Sequence, residues 1–100
     1  MLKHIVAWKF KESAENADKY HNLQKAKALL ESLKGKITEI RAFEIGIDVS
    51  RGDQSFDLVL YSEFVNREAL ASYQKHEDHV RVAEFLRKVQ LSKGVIDYEV

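Results

Sequence analysis

Apolar residues in this chain recur with two different periods, and the order in which those periods follow one another leaves few folds open. Residues 2–11 alternate strictly, with Leu2, His4, Val6, Trp8 and Phe10 on one face and Lys3, Ile5, Ala7, Lys9 and Lys11 on the other. Period two is the signature of a strand, and a histidine on an otherwise apolar face is its odd member. Over 17–33 the period changes: Tyr20, Leu23, Ala26, Leu30 and Leu33 return at helical spacing, with Ser13 or Asn16 able to cap the start and Gly35 to stop the end. Residues 37–49 alternate again, with Gly46 marking a bulge or a close approach. After a turn at 50–54, a third strand runs over 55–64, with Phe56, Leu58 and Leu60 opposite Asp57, Val59 and Tyr61. The turn is short, so these two strands form an antiparallel hairpin.

Asn66 then caps a helix through Leu70 and Tyr73 that is interrupted near His76 and continues through Val80, Ala83, Phe85, Leu86 and Val89. Gly94 is read as the break, and 95–100 as a fourth strand. The order β-α-β-β-α-β predicts a ferredoxin-like α+β fold, one antiparallel sheet in a single domain over 1–100. Its helices cover one face of the sheet only. The strands carry aromatic and branched residues on both faces, so the uncovered face calls for a partner, and two sheets packed face to face make a homodimer.

Composition narrows the function. Sixteen basic and sixteen acidic residues cancel, so no global field holds nucleic acid or an anionic membrane. Cysteine is absent, which removes disulfides, thiolate metal sites and cysteine nucleophiles, and fits a reducing cytoplasm. No signal peptide or membrane span is expected from the N-terminal pattern. The segment richest in proton-handling groups is 73–82, where Tyr73, His76 and His79 stand within seven residues. His76 and His79 lie three apart and share a helix side, but a solvated, charged helix start explains them better than a metal site, so no metal and no cofactor is expected. Trp8, Phe43 and Phe56 are core or interface aromatics, and Lys3, Lys9 and Lys11 a solvated strand edge.

The opening Leu2-Lys3-His4-Ile5-Val6, the Lys9-Phe10-Lys11 that ends the first strand, Tyr73 with His76-x-x-His79-Val80, and Val95-Ile96-Asp97-Tyr98 resemble, in order and spacing, the stress-responsive A/B-barrel (Dabb) family. The resemblance covers essentially the whole chain. It implies a ferredoxin-like subunit whose homodimer closes a shared α+β barrel around an internal cavity. Most members have no established reaction, and one plant member is a polyketide cyclase performing an intramolecular aldol condensation. Matching its pocket residues gives Tyr73, His79 and Asp97 as the catalytic set, with Asp97 holding the His79 imidazole. His4, with Val6, Trp8 and Val59, would line a pocket for a small hydrophobic or aromatic ligand. Three departures stand out: Glu77 occupies a position where the family often has proline, Asp57 one where the cyclase has a further histidine, and bulky Trp8 beneath His4 makes the pocket wall different.

Three functions follow as expectations. The first is a dimeric barrel that binds a small organic ligand. The second is a cyclase or isomerase acting next to a carbonyl, with His79 as base, Asp97 as its orienter and Tyr73 as donor. The same network can instead serve only to tie the second helix to the fourth strand. The third is a dimeric-barrel monooxygenase, which the resemblance keeps open without a motif to recommend it.

Overall fold

The computed structural model describes all residues, Met1–Val100. Its elements are β1 (Leu2–Phe10), β2 (Ser13–Ala14), β3 (Ala17–Asp18), α1 (Lys19–Glu31), β4 (Ala42–Ile47), β5 (Leu58–Phe64), α2 (Arg67–Lys75), α3 (Glu77–Val89) and β6 (Gln90–Glu99). Strands β4, β5, β1 and β6 lie in that order in one sheet, and every neighbouring pair is antiparallel. This is the ferredoxin-like α+β fold, with the second helical segment divided into two helices.

Alternation in the strands decides what is inside. Leu2, Val6, Trp8 and Phe10 of β1 are buried together with Leu58, Leu60 and Phe64 of β5, against Leu23, Ala26 and Leu30 of α1 and Val82, Leu86 and Val89 of α3. The other sheet face carries Ile5, Val59, Tyr61, Ile96 and Tyr98 with no helix over it, and Ile96 is 63% exposed. Charge is not absent from that face. The Lys3 ammonium donates to the Tyr61 hydroxyl at 2.9 Å, and Tyr61 donates in turn to Glu63. Lys3 is therefore half-buried in a network rather than a freely solvated edge residue.

Several elements differ from the sequence expectation for identifiable reasons. Helix α1 is capped by neither Ser13 nor Asn16; Asp18 does so, its Oδ1 accepting from the His21 amide at 2.8 Å. The preceding residues fold into the β2–β3 hairpin, with Glu15 and Asn16 in the left-handed region at φ 50° and 59°. Consecutive positive φ values are what a two-residue hairpin turn of the right twist needs. Tyr20 points outward, 63% exposed, while Asn22 is buried and donates to the Ala14 carbonyl. Strand β4 begins only at Ala42, because the chain after α1 makes turns that plug Ile37 into the core. Gly46 is a close approach rather than a bulge: the β4–β5 register runs unbroken, and a Cβ there would stand 3.4 Å from Val59.

The largest difference lies at the C-terminal end. Gly94 does not break a helix; α3 ends at Val89 and the chain enters β6 directly, with Gly94 opposite Ala7. The free edge of β1 supplies a ladder of backbone hydrogen bonds along β6, broken only by a register shift at Lys9–Phe10, and that tertiary pairing outweighs local helical preference. No helix is long and apolar enough to cross a membrane.

Candidate functional site

Inward-facing positions of β1 place His4, Val6 and Trp8 in a row beneath the helices, and all three are buried. Above them the chain turns between α2 and α3. His76 makes the turn possible by holding an extended backbone at φ −61° and ψ 135°, while its Nδ1 accepts from the Asp78 amide at 3.1 Å. One residue thus ends α2 and caps α3, a duty usually given to Ser, Thr, Asp or Asn. The break sets Tyr73, in the last turn of α2, and His79, in the first turn of α3, edge to face with ring centroids 4.5 Å apart.

Tyr73 is fully buried, its ring 4.9 Å from Phe64, 5.9 Å from Phe43 and 6.4 Å from His4 between centroids. Neither its hydroxyl nor the buried Nδ1 of His79 has a hydrogen-bond partner in the protein. Burial pushes the Tyr73 phenol well above its ordinary value, so it stays protonated near neutral pH. Burial pushes the His79 imidazole down; the Gln74 carbonyl opposes this, while His4, Lys93 and Arg87 add to the lowering. His79 is consequently neutral near pH 7.

These groups border a cavity of about 120 Å³. Val6, Trp8, Leu60, Leu86 and Val95 form its apolar walls, and His4, Tyr73, His79, Arg87 and Lys93 are among its polar lining, the last two exposed to solvent. The volume is small beside the roughly 300–1,000 Å³ of drug-sized ligand sites. It suits a small organic molecule.

Asp97 is not where the family resemblance puts it. Its Oδ1 lies 2.5 Å from the His4 Nδ1, and it makes no bond to His79. The reason is register: β6 pairs with β1 so that Asp97 stands opposite His4 on the same sheet face. A hydrogen on His4 Nδ1 donated to that carboxylate leaves Nε2 with the lone pair. Val59 is also displaced from its expected role. It sits opposite Ala7 and Gly46 on the uncovered face of the sheet, away from His4, Val6 and Trp8. Phe56, 39% exposed, is near it, whereas Phe43 is core. No three His, Asp or Glu side chains gather as a metal-holding group.

Sequence reasoning passed over Gln74, Arg87 and Lys93. Leu86 and Val95 could be read from periodicity, but a charged residue on a helix surface or a strand edge carries no sign of facing a cavity.

Among solved structures, the chain is similar to a dimeric protein of unknown function with a ferredoxin-like fold from Bacteroides fragilis NCTC 9343. The two are 31% identical, with 99% of this chain and 95% of that one covered and a TM-score of 0.88. An Arabidopsis thaliana protein is 26% identical, with 100% and 95% covered and a TM-score of 0.81. The hydroxynitrile lyase from Passiflora edulis shares the fold at 14% identity, with 99% and 92% covered and a TM-score of 0.82. No curated protein sequence matches the chain. The family model of the stress responsive A/B barrel domain matches residues 2–100, in keeping with the motifs at both ends of the sheet, and the chain belongs to that family.

Proposed function

We propose that this protein binds a small carbonyl-bearing organic molecule in the cavity between β1, α2 and α3, and that it does so as a homodimer. The observation that carries the reading is the pair of buried polar atoms without a protein partner, the Tyr73 hydroxyl and His79 Nδ1, on two residues that both border one largely apolar cavity. Buried polar groups are nearly always bonded, so two orphans together are what a ligand's own polar atoms would complete. Tyr73, kept protonated by burial, is a donor suited to a carbonyl oxygen. Trp8, Val6 and Leu86 would hold the apolar body of the ligand.

A second reading adds chemistry, and the His4–Asp97 pair favours it. With its tautomer set by Asp97, His4 can take a proton through Nε2 from the carbon next to the bound carbonyl. The electron pair of that C–H bond moves onto the oxygen, where Tyr73 donates to the developing charge. His79 faces Tyr73 and is held neutral, so with its one N–H on Nδ1 it can give a second hydrogen bond to the same oxygen. The base thus moves from the expected His79 to His4, because Asp97 orients His4.

Dimerisation is supported by the uncovered apolar sheet face and by the dimeric state described for similar proteins. Two such faces closing on each other would form the α+β barrel.

Titration with acetophenone, followed by two-dimensional NMR in D2O, tests both readings. Binding should shift the Trp8, Tyr73 and His79 resonances and weaken in Tyr73→Phe; silence at all three would sink the cavity reading. Protein-dependent loss of the methyl proton signal to deuterium would support proton abstraction, and binding without exchange would remove it.

A further inference from the structure

We propose that the natural ligand of this cavity is an organic anion, a small carboxylate whose charged end lies between Arg87 and Lys93 while its carbonyl or hydroxyl reaches Tyr73. The inference rests on the ligand-binding reading above and names the chemical class of the molecule.

Charge at the cavity is unbalanced in a chain that is balanced overall. Sixteen cations face sixteen anions in the whole sequence. Four of these cations have carboxylate partners, Lys3 with Glu63, Lys19 with Glu12 and Asp57, Arg67 with Glu99, and Arg81 with Asp78 and Glu77; what sets Arg87 and Lys93 apart from the other unpaired cations is their place at the cavity. Arg87 and Lys93 pair with no carboxylate, and both line the cavity. None of the fifteen lining residues is acidic. Asp97, the nearest carboxylate to the polar residues of the cavity through its bond to His4, lies outside the lining.

Placement of the two cations is set by the fold. Lys93 stands opposite Trp8 in the β1–β6 register, on the cavity side of the sheet, and Arg87 follows the buried Leu86 on α3. Both elements contribute to the cavity lining, and the amides of Gln74 and Gln90, which also line it, are further donors. A cleft with apolar walls and one sign of charge at its mouth concentrates ions of the opposite sign. The same arrangement fixes direction: the charged end remains at the wet rim, where Arg87 and Lys93 reach solvent, and the apolar body enters first. Both cations also oppose protonation of His79, though burial is the larger cause of its lowered proton affinity.

Two matched pairs of probes separate charge from shape: levulinate with 2,5-hexanedione, and 4-acetylbenzoate with 1,4-diacetylbenzene. In each pair a carboxylate replaces an acetyl group of similar size. Dissociation constants are measured at low and high salt for the full chain and for the Arg87→Gln/Lys93→Gln double variant, whose exposed substitutions should leave the fold intact by circular dichroism. The expected result is about tenfold tighter binding of the anion at low salt, falling toward parity in the double variant and in high salt. Equal or tighter binding of the neutral diketones would overturn the anion assignment while leaving the carbonyl site standing. A preference that survives in the double variant would overturn the roles of Arg87 and Lys93. If none of the four probes binds, the ligand-binding reading fails and this inference fails with it.

Discussion

Replacing Tyr73 with phenylalanine should make the protein more stable and its cavity less useful. The tyrosine ring is fully buried and packs on Phe64, Phe43, His4 and His79, and phenylalanine keeps every one of those aromatic contacts. What disappears is one hydroxyl that has no protein partner. A buried hydroxyl left unsatisfied costs about 1–3 kcal/mol, and its removal leaves at most a methyl-sized gap beside a cavity that already exists. The net effect should be a gain of about 1 kcal/mol, which in a domain of this length raises Tm by roughly 4–8 °C. Urea unfolding followed by circular dichroism, with equal m-values for both proteins, measures it. A loss of about 1 kcal/mol or more would refute the reasoning, since it would mean that the hydroxyl is satisfied in the native protein. A gain in stability together with weaker acetophenone binding is the pattern of a site that keeps an unsatisfied group for its ligand.

Further predictions concern the other groups. Asp97→Asn should shift the His4 Nδ1–H proton resonance far upfield by removing the anionic acceptor, at a cost of only about 1 kcal/mol because Asp97 is partly solvated; an unmoved resonance would show that the pair does not exist in solution. The folded pKa of His79 lies below the ordinary histidine value of about 6.5, so the unfolded chain takes up a proton first as pH falls. Its contribution is therefore intact above pH 6.5 and declines from there down to the depressed folded value. Urea midpoints at pH 7.0 and 5.5 should differ more in the native sequence than in His79→Asn, and equal differences would rule this out. Ile96→Lys should convert a dimer to monomer in sedimentation velocity, since symmetry would bury two like charges at once; an unchanged sedimentation coefficient would mean that the outer sheet face is not the interface.

Much of this architecture was legible in the sequence because period carries it. The alternation over 2–11 put His4, Val6 and Trp8 on the inner face, and they are there. The switch near His76 was visible as well, though not that His76 itself would supply the cap. What periodicity could not reach was anything decided by pairing between distant segments. Gly94 read as a breaker until the free edge of β1 gave it a ladder to join. Asp97 was placed beside His79 by analogy, and the strand register gave it to His4 instead. Val59 teaches the opposite lesson. Its own strand put Leu58 and Leu60 on one face and Val59 on the other, so local alternation already separated it from His4, Val6 and Trp8.

The pairing of β1 with β6 also has a kinetic meaning. His4 and Asp97 are 93 residues apart in sequence, yet they meet across adjacent strands. As the chain emerges from a ribosome, the first strand of the sheet waits for the last, with one edge unsatisfied through most of synthesis. Closing so long a loop is entropically slow, and contacts of this separation are the kind that delay folding. Lys93 and Val95 come from that same late strand, so the cavity cannot exist on a partly folded molecule. A ligand captured there would report that the entire domain has been made and closed.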